Sequence, residues 1–290
     1  MILILGSTGM FGSRVLRETR ARGAEVRALV HSEAHAAAVA ASGADVAVGD
    51  LDQPQTLTAA FAGVDTVFVV TPMDDRVLER ETNALNAAKR AGVRRIVKLW
   101  GAVRHQPGEE LDGQHRASIQ ALRDSGLRWS LVSPNSVMET SLLQQAGGIE
   151  QASMIFGCAG DGRVGLVAAD DVGRAASVVL TDRDEQGANY ELTGPEALTM
   201  TQMAEALTAG LGRTITYQDM PETAFRQMMV HDVGIPESAV DTAVMVHFAA
   251  WKRGDADLVT DTYRELTGQA PTSLAQWVAA NRAAFEAPAG

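Results

Sequence analysis

The chain has 290 residues, 46% apolar and 21% charged, with 25 Lys and Arg against 36 Asp and Glu for a formal charge of −11. That composition describes one large folded domain or two unequal ones and excludes a disordered chain. The acid excess argues against a nucleic-acid or anionic-membrane surface, no apolar run approaches the ~18 residues of a membrane helix, and the single Cys158 excludes an internal disulfide and a Cys-based zinc site.

The first segment, Met1–Leu5, is an apolar run of strand length that ends at Gly6. No basic leader precedes it, so a cytoplasmic protein is expected. Next, Val15, Leu16 and Thr19 lie opposite Arg14, Arg17, Glu18 and Arg20, which is helical spacing closed by Gly23. Glu25–Val30 reads as a second strand, Ala34–Ser42 as an alanine-rich helix ended by Gly43, and Asp45–Val48 as a short third strand. A helix from Pro54 to Phe61 is stopped by Gly63, and the β-branched stretch Thr66–Val70 ends at Thr71-Pro72. A long helix over Asp74–Ala91, a fifth strand over Arg94–Leu99, a helix from Gly113 to Ser125 and a strand at Trp129–Val132 continue the pattern.

Strict alternation of apolar strands and helices predicts an α/β fold: a doubly wound parallel Rossmann sheet. A smaller mixed α/β substrate domain is expected beyond it. The alternation breaks at Ser133-Pro134-Asn135, resumes with a strand-helix pair at Val164–Ala168 and Asp170–Leu180, and fades after Asn189. The expected division is therefore residues 1–133 plus 163–183 for the dinucleotide-binding domain, and 134–162 plus 184–290 for the substrate side.

Ligands of such sheets bind at the carboxyl ends of the strands. After the first strand stands Gly6-Ser7-Thr8-Gly9-Met10-Phe11-Gly12, a GxxGxxG loop leading into a helix. Gly6 permits the tight turn, Gly9 lets the backbone approach a pyrophosphate, Gly12 allows close packing of the helix, and free N–H groups with the helix dipole face the anion. The second strand ends in His31-Ser32 rather than in an acid, with Arg14 nearby in the first helix. An acid would repel a 2′-phosphate, so NADP(H) is expected over NAD(H), although Glu33 lies close. Asp50 and Leu51 follow the third strand, where Asp50 either accepts from adenine or caps the next helix. Thr71, Pro72 and Met73 follow the fourth.

The loop Gly6–Gly12, then Gly49-Asp50-Leu51, Phe61–Phe68, Val70-Thr71-Pro72, Ser125-Gly126-Leu127, Ser133-Pro134-Asn135 with Met138-Glu139, and Tyr190–Pro195 together resemble the NmrA-like atypical short-chain dehydrogenases/reductases. The resemblance implies the fold and the cofactor more specifically than the reaction. That family contains quinone reductases, isoflavone-reductase-like enzymes and NADP-binding redox sensors. The usual Tyr-x-x-x-Lys pair is absent, since Tyr190, Tyr217 and Tyr263 all lie late in the chain without Lys four residues on. The fifth strand ends Lys98-Leu99-Trp100-Gly101, where relatives often carry serines. His115 falls where the family places a catalytic lysine or histidine, but Ile119 replaces the glutamate that often follows it. His115 is accordingly read either as a proton donor or as a residue packing the helix start.

Trp100 is expected to wall a flat substrate and Asn135 to bind a substrate oxygen or hold a turn. Asp170-Asp171 are expected to cap a helix, and Met228, Met229, Met245 and Phe248 to form adaptable apolar helix faces. His231 and His247 have no metal-ligand spacing, so no metal is expected. The leading expectation is an NADP(H)-dependent oxidoreductase reducing a small aromatic carbonyl or quinone. The alternatives are an NADP(H)-binding sensor without turnover and an oxygen-coupled oxidation of an aromatic substrate. No nucleic-acid or membrane partner is expected, and a dimer is compatible with the sequence.

Overall fold

The computed structural model describes residues 1–41, 43–72, 74–103 and 110–285, without the side chains at 38, 110–112, 114 and 115. The first half alternates: β1 (Ile2–Ile4), α1 (Met10–Ala21), β2 (Val26–Val30), α2 (Glu33–Ala40), β3 (Asp45–Val48), a 3-10 turn (Pro54–Thr56) running into α3 (Leu57–Phe61), β4 (Thr66–Val69), α4 (Val77–Ala91), β5 (Arg95–Leu99), α5 (Glu110–Asp124) and β6 (Arg128–Pro134). The second half is irregular: β7 (Ser136–Val137), α6 (Met138–Leu142), α7 (Ala146–Ala152), β8 (Met154–Gly157), β9 (Arg163–Val167), α8 (Ala169–Asp182), β10 (Asn189–Leu192), β11 (Ala197–Thr199) and α9 (Met200–Leu211). Then follow β12 (Thr216–Asp219), α10 (Glu222–His231), α11 (Glu237–Val240), α12 (Val246–Arg253), α13 (Thr262–Thr267) and α14 (Leu274–Ala280).

Among the described residues the main sheet has seven parallel strands in the order β10-β6-β5-β4-β1-β2-β3. This is the doubly wound sheet expected from the alternation. Its strands read as continuous apolar runs because both faces are covered. Ile4, Phe68 and Val97 face Val15, Leu16, Val172 and Val179 of α1 and α8. Leu3, Val67, Val69 and Ile96 face Leu57, Phe61, Leu85, Ala88 and Leu122 of α3, α4 and α5. Period-two alternation then places Lys98 on the α4/α5 face with Ile96.

The strand expected at Val164–Ala168 is β9, which pairs with β7 in parallel and with β11 antiparallel, outside the main sheet. β10 lies on the sheet edge, paired Asn189 to Leu131 and Leu192 to Pro134. A separate apolar core gathers Met200, Met203 and Leu207 of α9, Phe225 of α10, Phe248 and Trp251 of α12, and Trp277 of α14. Between α11 and α12 the helix passes through a π-helical turn, Asp241–Met245. No described helix is long and apolar enough to cross a membrane.

The expected capping of α8 by Asp170-Asp171 is replaced by a different arrangement. Ala168 occupies the cap position without a side-chain cap, and the remote Glu139 accepts from the Ala169 N–H at 2.9 Å and from Trp277 Nε1 at 3.1 Å. Asp170 instead accepts from Arg14 and Arg17, at 2.8 and 2.9 Å. Burial opposes the Asp170 charge, but the Arg17 and Arg14 guanidiniums outweigh it and hold the carboxyl below its ordinary range.

Candidate functional site

The sheet order reverses at β1, which lies between β2 and β4, and there the glycine loop meets the end of β4. Gly6 adopts φ +63°, and a Cβ on it would lie 2.6 Å from the Val70 carbonyl oxygen. A side chain is therefore excluded both by conformation and by contact. Gly12 starts α1 so close to the turn that a Cβ would lie 2.1 Å from the Gly6 carbonyl oxygen. It packs against the loop itself. Gly9 differs from both: its backbone is extended (φ −83°, ψ 173°), and a Cβ would meet only the Gly6 oxygen, at 3.3 Å.

No side chain caps α1 and no acid stands in its first turn. Its orphan N–H groups and the positive end of its dipole are thus left for an anion. This uncapped, acid-free helix start fits a dinucleotide pyrophosphate. Buried Ser7 donates its hydroxyl to the Leu29 carbonyl at 2.7 Å, which ties the loop to β2. Thr8 is exposed at the tip, and Met10 and Phe11 are half-buried.

At the end of β2, His31 is exposed and Ser32 Oγ lies 2.8 Å from His35 Nδ1. The His31 and His35 rings stand 4.5 Å apart between centroids. Arg14, expected near a 2′-phosphate, is taken up by Asp170 and by the Met10 carbonyl at 2.8 Å. Asp50 does not make the expected helix cap: Gln53 holds the cap position of the 3-10 turn, and the Asp50 carboxylate accepts from Asp52 N and Gln53 Nε2, at 2.9 and 3.2 Å. Leu51 offers its carbonyl to Asn83 Nδ2 at 2.8 Å.

Beyond the ends of β4, β5 and β6 opens a cleft of about 1140 Å³, large enough for a ligand of drug size. Of the sequence-predicted residues, Phe11, Thr71, Trp100 and Asn135 line it. His31, Ser32, Asp50 and Leu51 lie away from it, at the ends of β2 and β3. Met73 lies outside the described residues, as does the side chain of His115, whose backbone is in α5 one turn before Ser118. Pro72 is exposed beside Thr71. Buried Asn135 donates Nδ2 to the Ala256 carbonyl at 2.9 Å, while its Oδ1 accepts no hydrogen bond. The opposite wall is largely apolar, with Phe225, Met229, Phe248 and Trp251 from α10 and α12 and Val244 from the π turn, and it also carries Ser238, Thr242 and His247. Trp251 donates Nε1 to Ser136 Oγ at 2.9 Å, which fastens that wall to β7.

A group that sequence reasoning missed lies at the cleft floor. Glu81 of α4 accepts from Thr71 Oγ1 at 2.9 Å, and from Lys98 Nζ and Ser118 Oγ at close range. Glu81 and Lys98 are both buried, and the Lys98 ammonium stands 5.9 Å from the centroid of the Trp100 ring. The available signal was a carboxylate on the apolar face of α4, among Val77, Ala84, Leu85 and Ala88, together with a lysine inside a core strand.

The sequence profile of the NmrA-like family matches residues 1–256. The chain belongs to the NmrA-like family. It is 34% identical to an NAD(P)H azoreductase of Xenophilus azovorans over 292 aligned residues, covering 99% of this chain and 100% of the relative. It is 30% identical to quinone oxidoreductase 2 of Escherichia coli K12, covering 96% and 97% of the two chains. Among solved structures, the NADPH complex of an Escherichia coli NADPH-dependent quinone oxidoreductase superposes with a TM-score of 0.88 at 29% identity, covering 97% of this NmrA-like chain and 99% of the other. Triphenylmethane reductase of Citrobacter sp., complexed with NADP(H), shares the fold with a TM-score of 0.87 at 24% identity, covering 96% and 99%.

Proposed function

We propose that this NmrA-like protein is an NADP(H)-dependent oxidoreductase that reduces small aromatic acceptors of the quinone or azo type. The observation that carries the reading is an aromatic-walled cleft opening beside an uncapped helix start at the strand-order reversal. The likeness over the whole chain to an azoreductase and a quinone oxidoreductase supports it.

Backbone N–H groups of the Gly6–Gly12 loop hold the pyrophosphate, with Gly9 giving it room. His31 and Ser32 receive the 2′-phosphate, which favours NADP(H) over NAD(H), and Asp50 and Leu51 border the adenine end. Thr71, Pro72 and Met73 border the nicotinamide end. The cofactor, when bound, supplies a hydride. Trp100 offers its face to a flat acceptor, and Asn135 lines the same cleft. His115 gives the proton that carbonyl, quinone or azo reduction needs besides the hydride, because imidazole is the side chain whose ordinary pKa suits that task near neutrality.

Steady-state NADPH oxidation with a panel of quinones and azo dyes, from about pH 5 to 9, tests this reading. Activity falls as pH rises through the pKa of a general acid, and His115→Ala lowers the rate by about 10²–10⁴. A variant as fast as the parent removes His115 from the mechanism. Tight NADPH binding without turnover of any acceptor replaces the reductase by a sensor.

A further inference from the structure

We propose that Glu81 is a positioning residue: by taking the hydroxyl proton of Thr71 it leaves that oxygen able only to accept, so that the end of β4 grips the amino end of the cofactor's nicotinamide carboxamide and refuses its carbonyl end. The proposal rests on the reductase reading and names what Thr71 recognises at the nicotinamide end.

Three donors converge on the Glu81 carboxylate. Thr71 Oγ1 lies 2.9 Å from Oε1, Lys98 Nζ meets the same oxygen, and Ser118 Oγ meets Oε2. One ammonium balances the one carboxylate, and an ionised carboxylate has no proton to give. Such a buried pair adds little stability, because desolvation of both charges offsets most of their attraction, and two apolar side chains would fill the space as well. The pair contributes direction instead. A threonine hydroxyl has one proton and two lone pairs. The Thr71 proton goes to Glu81, and among the described residues no group donates to Thr71 Oγ1. Donation to an anion fixes the hydroxyl rotor, and the polarised O–H makes the oxygen a better acceptor.

Of the two hydroxyls on Glu81, Thr71 is the one open to a ligand. Ser118 is 2% exposed, whereas Thr71 is half-buried and borders the cleft. Thr71 also follows Val70, whose carbonyl oxygen would stand 2.6 Å from a Cβ on Gly6, so it begins the cleft right beside the loop assigned to the pyrophosphate. In the nicotinamide half of the cofactor, ribose hydroxyls both donate and accept, and a one-way hydroxyl tells nothing about them. The carboxamide differs, with a donor at its amino end and an acceptor at its carbonyl end. Turning the carbonyl toward Thr71 would set two acceptors face to face. The committed proton of Thr71 thereby selects the orientation of the carboxamide.

Calorimetric titration with NADP⁺ and with its 3-acetylpyridine analogue tests this without turnover. The analogue keeps the carbonyl and carries a methyl group in place of the amide nitrogen. The parent should bind NADP⁺ more tightly by about fivefold, the size of one hydrogen bond. Thr71→Val should bind both dinucleotides alike, and Thr71→Ser should restore the difference. Lys98→Met/Glu81→Leu removes both charges together, which a fold tolerates better than the loss of one, and thermal melting checks that it is folded. Its Thr71 hydroxyl is free to turn and to donate to the acetyl carbonyl, so the difference should shrink below about twofold. A double variant that folds and keeps the parental difference, or a Thr71→Val variant that keeps it, overturns the proposal. Equal affinities in a parent that binds both dinucleotides overturn it alone. A parent that binds neither overturns it together with the reductase reading.

Discussion

The two walls of the cleft are built by different rules. The sheet-side wall takes its residues from the ends of neighbouring strands, and the polar or charged groups Thr71, Lys98 and Asn135 lie there because β4, β5 and β6 end at the same edge. The opposite wall comes from α10, the π turn and α12, and its side chains are mostly apolar and partly shared with the separate C-terminal core. A π turn adds one residue to the helical repeat, which shifts the faces of α11 and α12 relative to each other. Chemistry is thus fixed by the rigid sheet and shape by helices that adjust. Changes on the first wall should act on cofactor binding and rate, and changes on the second on acceptor choice and stability.

The strongest way to break this division is at the glycine loop. Gly9→Val should leave the melting temperature close to the parent's, since its Cβ meets only one atom, at 3.3 Å. It should still raise the NADPH Kd at least a thousandfold, about 4 kcal/mol, by filling the space in front of α1. Gly12→Ala should instead lower binding and stability together, by roughly 1–3 kcal/mol for overpacking, because its Cβ would lie 2.1 Å from a backbone oxygen. Calorimetric titration and melting of both variants check this. NADPH binding by Gly9→Val at parental affinity places the ligand elsewhere.

Behind the helical wall, Cys158 tests whether that side is a closed apolar core. Burial, reinforced by the nearby negative Glu222, pushes its thiol up to about 11 from an ordinary 9.0. The folded state therefore favours the protonated thiol. Its stabilising contribution is complete below about pH 9 and is lost as pH rises through about 11, on the order of 3 kcal/mol in all. Urea unfolding of parent and Cys158→Ala between about pH 8 and 11 should show a steeper loss in the parent. Parallel curves mean that the thiol meets water and the wall is open.

The first wall was legible in the sequence because its logic is local. Continuous apolar strands, glycine stops and the GxxGxxG loop are each read within a few residues, so the strand–helix alternation and the glycine loop followed. The Glu81–Lys98–Ser118 cluster was not legible, since its members lie 17 and 37 residues from Glu81 and meet only when α4, β5 and α5 stack. Arg14 misled for the same reason. Helical spacing placed it near the glycine loop, but its partner Asp170 lies 156 residues away on α8. The second wall depends on such distant pairings almost entirely, as the Trp251–Ser136 bond across 115 residues illustrates.

The smallest effect expected concerns the choice of cofactor, and it sharpens what the sheet edge alone contributes. With Arg14 held by Asp170, the proposed 2′-phosphate site would consist of His31, Ser32 and the neighbouring His35, a group after β2 joined by the Ser32–His35 hydrogen bond and a tilted contact between the His31 and His35 rings. These are weaker phosphate ligands than a bidentate guanidinium, so the preference for NADPH over NADH should be modest, about tenfold or 1.4 kcal/mol. His31→Asp places a carboxylate where it can accept from the ribose hydroxyls and repel a phosphate, and should turn the preference toward NADH. His35→Ala leaves Ser32 without its imidazole partner and should reduce the preference without reversing it. Calorimetric titrations of both cofactors against the three proteins measure all of this. Equal affinities in the parent, or a His31→Asp variant that still prefers NADPH, show that the phosphate is read by groups other than the end of β2.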